Sequence, residues 1–138
     1  MRLFKGFVVA ACAAFLMACG GGSPADKVLG HAEKVMSIIE ANKADLDKAA
    51  KEVEGYISSN KAALEADAKA FQTWVQEQMA AAEKDPAAAQ KMGEDLQKKG
   101  AALEARQEAL EKEVPGIKDH EGLKKAMEGM KDLLPGGM

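Results

Sequence analysis

The chain holds two thiols and two imidazoles, at Cys12, Cys19, His31 and His120. Both cysteines stand within the first nineteen residues, so everything after Cys19 is thiol-free and can carry no disulfide framework, zinc knuckle or cysteine nucleophile. Neither histidine has an HxxxH or HxxE companion. Only Asp119-His120-Glu121 flanks an imidazole with carboxylates, and such a triplet more often marks a solvated helix start than a metal site. Ser37, Ser58, Ser59 and Thr73 have no nucleophile-elbow setting, there is no glycine-rich phosphate loop, and Asp and Glu are spread along helix faces. Neither a catalytic site nor a metal site is therefore expected, and the chain reads as something other than an enzyme.

The thiol with an evident chemical setting is Cys19. Arg2 and Lys5 give a positive start, Gly6 to Ala18 is uncharged and apolar, and the chain turns polar and glycine-rich at Cys19-Gly20-Gly21-Gly22-Ser23. That order is the order of an export signal. The apolar run is shorter than the roughly 20 residues a membrane-spanning helix needs. Its end, Leu16-Met17-Ala18-Cys19, resembles the lipobox of bacterial lipoproteins: a branched apolar residue three before the cut, a small one just before it, and cysteine just after. The resemblance implies transfer of diacylglycerol to the Cys19 thiol, cleavage between Ala18 and Cys19, and often an acyl chain (commonly palmitate) on the new amine. No other cofactor is implied. Val9-Ala10-Ala11-Cys12 fits the same pattern, but it would leave an apolar stretch of about six residues, below the roughly 7–15 of an export signal. It would also strand Ala13 to Met17 as a greasy stub, so Cys19 is the expected lipidation site. By analogy with lipoprotein sorting, Gly20 rather than Asp after the cysteine favours the outer membrane, facing the periplasm.

A chain of 138 residues, 47% apolar and 30% charged, fits one ordinary domain. Much of the apolar fraction is alanine and aromatics are 4%, so the core should be thin. Two of the 19 basic residues fall in the export signal, leaving 17 against 22 acidic ones and a formal charge of about −5, which gives nucleic acid no purchase. The expected organisation is a signal over 1–18, an acylated cysteine with a short glycine-rich tether over 19–23, and a single helical domain over 24–138.

Helices must position whatever the domain does. Ser23-Pro24 with Asp26 three residues on gives a capping-box start and a proline in the first turn. Val35, Leu46, Ile57, Ala68 and Met79 then recur every eleven residues, three turns of about 3.67. Val53, Leu64 and Val75 run beside them, as do Ala49, Asn60, Phe71 and Ala82. No period-two run competes, so the fold class is all-α. An unbroken helix over 24–84 would be about 90 Å long, so a bend or break is expected either within 55–60, where Gly55 to Asn60 is poor in helix formers and Ser59 or Asn60 could cap a restart, or near Asn42 with Asp45. Asp85-Pro86 marks a reversal. A helix over 86–113 follows, with Met92, Leu96, Leu103 and Leu110 on one face and Gly100 weakening its middle. A last helix over about 119–134 carries Leu123, Met127, Met130 and Leu134. The architecture expected is an elongated antiparallel bundle or hairpin of three to four amphipathic helices behind the signal helix.

Phe71 and Trp74, with Met127 and Met130, are the candidate contacts for a partner or apolar ligand, since tryptophan and methionine are frequent at such surfaces; core packing is the plainer role for all four. The expectation is a membrane-anchored envelope lipoprotein working through protein contacts. The alternative is a carrier or chaperone-like module that opens to take an apolar ligand or client.

Overall fold

The computed structural model describes residues 23–133, and over them the chain is all-α. Five helices are present among the described residues: α1 Pro24–Ala41, α2 Leu46–Ser59, α3 Lys61–Ala82, α4 Pro86–Glu113 and α5 Glu121–Leu133. The lipobox Leu16-Met17-Ala18-Cys19 and Leu134 lie outside the described residues, as does the side chain of Met92.

Helix α1 starts where the capping box requires. Ser23 Oγ accepts the Asp26 backbone N–H at 3.2 Å, and Asp26 Oδ2 accepts the Ser23 N–H at 3.2 Å in return. Its inner face buries Ala25, Val28, Leu29, Val35, Met36 and Ile39, the three- and four-residue spacing of a helical stripe. Asn42 stops it. The buried Asn42 amide donates from Nδ2 to the Ile38 carbonyl (2.9 Å) and to Glu52 Oε2 (2.8 Å), tying the end of α1 to the next helix. Asp45 then caps α2, its Oδ1 accepting the Lys48 N–H at 2.9 Å.

The expected count of three to four helices rises to five because the long first segment is interrupted twice. Gly55 is not one of the interruptions: it sits within α2. The second falls at Asn60 (φ −110°), whose Nδ2 bonds the Tyr56 carbonyl at 2.8 Å. That side chain competes with the backbone for the same acceptor and bends the helix. The ladder nonetheless resumes at once, from Leu64 N–H to the Asn60 carbonyl at 2.8 Å, so α2 and α3 are two limbs of one kinked rod.

Pro86 opens α4 after a three-residue reversal, and α4 runs straight through the buried Gly100 to Glu113. Gly116 takes φ +88°, the left-handed conformation glycine adopts without penalty, and a single 3-10 turn, Ile117–Asp119, leads to α5. Helix α5 starts at Glu121, two residues later than expected from sequence. His120 acts as its cap, with Nδ1 accepting the Leu123 N–H at 3.3 Å.

Cross-helix pairs set the directions. Asp26 pairs with Lys99, Arg106 forks onto Glu40 (2.7 and 3.1 Å), and Lys43 meets Glu113 at 2.6 Å, so α1 and α4 run parallel. His31 meets Tyr56 on α2 and Asp67 on α3, and Asn42 meets Glu52, so the kinked rod runs antiparallel to α1. Helix α5 closes against α2, where Gly122 approaches Ala50 so nearly that an added Cβ would stand 3.1 Å from the alanine methyl. One hydrophobic cluster joins all five helices, with Ile39, Leu64, Ile117, Leu123 and Met130 among its fully enclosed members. No described helix is long and apolar enough to cross a membrane.

Candidate functional site

The sequence-selected contact residues fall into two pairs. Phe71 and Trp74 stand one turn apart on α3, with ring centroids 5.7 Å apart and planes 29° from parallel. Phe71 is buried and Trp74 half-buried, so the pair forms an edge of the core. Met127 and Met130 sit one turn apart on α5, both buried. All four belong to or pack against the same hydrophobic cluster, and α5 packs on α3, so the fold brings the pairs into one core.

A second constellation is polar, and no local motif in the sequence marks it. His31 from α1 is wedged between Tyr56 of α2 and Asp67 of α3: Nδ1 lies 2.6 Å from the Tyr56 hydroxyl and Nε2 3.1 Å from Asp67 Oδ2. Lys27, one turn earlier on α1, approaches the other carboxylate oxygen at 3.5 Å. The side chains of His31 and Asp67 are 14% and 19% exposed, enclosed enough to make an unpaired donor expensive. The proton positions follow from chemistry. A carboxylate can only accept, so Nε2 carries a proton toward Asp67, and in the neutral imidazole Nδ1 is then the acceptor for the Tyr56 O–H. Donors point one way, from phenol to imidazole to carboxylate.

Such an order resembles a nucleophile, its base and an orienting acid. The electrostatics point elsewhere. Burial pushes the Tyr56 phenol above its ordinary range, and the negative charge of Asp67 pushes it further the same way. Both effects hold the phenol neutral, the reverse of what a phenolate nucleophile needs. What the geometry shows is a polar clasp joining three helices at one level, with the His31 and Tyr56 rings tilted at 54° against each other.

His120 is engaged at both ring nitrogens: Nδ1 caps α5 and Nε2 faces Asp47 Oδ1 at 3.3 Å. Its sequence neighbour Glu121 turns to Lys124. Among the described residues no group of three His, Cys, Asp or Glu side chains is placed to hold a metal ion. At the start of α1, burial raises the Asp26 carboxyl, but hydrogen bonds from Lys99 and Ser23 outweigh it and the net displacement is downward.

One signal could have found the clasp. Tyr56 and Asp67 are eleven residues apart, the period of the apolar stripe, so a kinked rod keeps them on one edge. Placing His31 opposite them requires knowing that the chain reverses at Asn42. Comparison of the chain with protein-family models, with curated proteins and with solved structures finds no match.

Proposed function

We propose that this chain is a lipid-anchored helical lipoprotein of the bacterial cell envelope that acts through protein–protein contacts, in a structural or accessory role. The observation that carries the reading is Leu16-Met17-Ala18-Cys19 followed, four residues after the cysteine, by a capped helix start at Ser23. An acylation signal thus runs almost directly into a folded helical unit. Burial of each methylene contributes about 0.8 kcal/mol, so two or three acyl chains on Cys19 hold such a unit on a membrane without help from its surface. Among the described residues the large apolar side chains other than Met79 are buried or half-buried in the core, which leaves charged helix faces for contact with a protein partner. Gly20 after the cysteine favours the outer membrane with the helices in the periplasm, and the net negative charge disfavours nucleic acid.

Replacing Cys19→Ser tests the anchor. The variant should stay uncleaved and leave the membrane fraction of lysed cells after high-salt washing; unchanged cleavage and retention would remove the basis for the proposal. Crosslinking in living cells tests the contact role: recovery of one stoichiometric protein partner supports it, and a chain that never crosslinks opposes it. One observation favours the carrier alternative, the half-open Trp74 stacked on Phe71. Saturable uptake of an apolar probe at low micromolar concentration, with a shift in Trp74 emission, would favour that role instead.

A further inference from the structure

The eleven-residue stripe outruns the bundle. Ile57 and Ala68 are buried, yet Met79, the next member, is 59% exposed and is the large apolar side chain left open among the described residues. The reason is the length of α1. Lys27 and His31 fix the level of Asp67 on α3, and Asp26 fixes the level of Lys99 on α4. From those levels α3 continues to Ala82 and α4 reaches back to Pro86, while α1 stops at Pro24. At 1.5 Å per residue, both arms of the α3–α4 hairpin project about 15 Å past the first turn of α1. Nothing described covers them: Phe71 is the last buried side chain on α3, and Leu96 is the first buried apolar side chain described on α4.

That same end of the bundle is where the chain arrives from Cys19. Four peptide units separate Cys19 from Ser23, a span of at most about 14 Å when fully extended. The reach of the tether and the overhang of the hairpin are therefore nearly equal. With the acyl chains of Cys19 in the bilayer and the helices upright, the hairpin tip comes level with the headgroups. The opposite end, at the α1–α2 turn, is carried outward by the length of α1.

We propose that the α3–α4 turn is the membrane-proximal foot of the anchored domain, with Met79 seated in the headgroup layer of a zwitterionic bilayer. The inference rests on the lipid-anchor reading above. The charge of the tip selects the lipid: residues 76–95 carry five carboxylates and two lysines, which an anionic surface would repel and a zwitterionic one tolerates.

The test uses the full chain, processed in a bacterial host and reconstituted in phosphatidylcholine vesicles containing a headgroup-nitroxide lipid. Once the signal with Cys12 is cleaved off and Cys19 is acylated no free thiol remains, so Met79→Cys and Ala44→Cys each give a single fluorophore site, both at exposed positions. Quenching at position 79 should exceed that at position 44 at least threefold, and it should fall when anionic lipid replaces part of the bilayer at low salt. Equal quenching at the two sites would mean a domain lying flat. Quenching that is stronger at 44, or that rises with anionic lipid, also overturns the proposal. An unquenched site 79 overturns it as well; a response to deletion of residues 134–138 then identifies the chain's own end as the cover, and a response to protein concentration identifies a second copy. Incorporation of a tagged fatty acid separates the two readings. Acylated protein with an unquenched tip refutes the foot alone, whereas protein with no acyl label refutes the anchor on which the foot depends.

Discussion

Tyr56→Phe removes one oxygen atom from the polar clasp and leaves the ring that packs beside His31. The hydroxyl donates to His31 Nδ1 at 2.6 Å, and its loss leaves an enclosed ring nitrogen without that donor. A net hydrogen bond is worth about 1 kcal/mol, and an unsatisfied buried acceptor adds about 1–3 kcal/mol where water cannot reach it. His31 is 14% exposed, so water repairs part of the loss and the expected destabilisation is about 1–2 kcal/mol. For a domain of this size that lowers Tm by about 3–8 °C. Urea unfolding followed by far-ultraviolet circular dichroism measures it, with Trp74 emission as a second probe. The pH dependence supplies an independent check. The phenol is raised in the folded state, first by burial and then by Asp67, so its contribution is complete below the unfolded tyrosine value and is lost as pH rises through the folded one. The advantage of the native protein over Tyr56→Phe should therefore shrink from about pH 10 upward. A variant within about 0.3 kcal/mol of the native protein, or a gap that widens with alkali, refutes the clasp.

Leu64→Ala, at a fully enclosed side chain, should lower stability by about 2–4 kcal/mol, whereas Met79→Ala on the same stripe should change it by less than about 0.5 kcal/mol in the unanchored chain; paired urea curves compare them. Asp26→Ala removes the capping box and the Lys99 pair, with an expected loss of about 1 kcal/mol at neutral pH. Because the Asp26 carboxyl is lowered in the folded state, its contribution is present above the unfolded aspartate value and disappears as pH falls through the folded one, so native and variant curves should converge in acid. Gly116→Ala forces a side chain into φ +88° and should cost about 1–2 kcal/mol, read as a lower thermal midpoint.

Local chemistry was legible in the sequence and long-range placement was not. Ser23-Pro24, Asp45 and Asp85-Pro86 act on neighbours within one turn, and each stands at a helix start in the structure. Gly55 and Asn60 show the limit of propensity. A single glycine within a helix is tolerated when its neighbours are anchored in a core, while the Asn60 amide has a specific acceptor in the Tyr56 carbonyl and breaks the rod there. The stripe was also legible, but not where it ceases to be covered: Met79 keeps its register with Ile57 and is left exposed because α1 begins too late to reach it. Phe71, Trp74, Met127 and Met130 were found by residue type, and the fold places them in and around one core. The His31–Tyr56–Asp67 clasp spans three helices and depends on the reversal at Asn42, so no local window contains it.

The most direct test of the lipid-anchored reading is the intact mass of the protein extracted from bacterial membranes with detergent. A chain that begins at Cys19 and carries the added mass of a diacylglycerol, with or without a further acyl group, is the expected result. A chain that retains Met1, or one with Cys19 present and unmodified, would contradict the account.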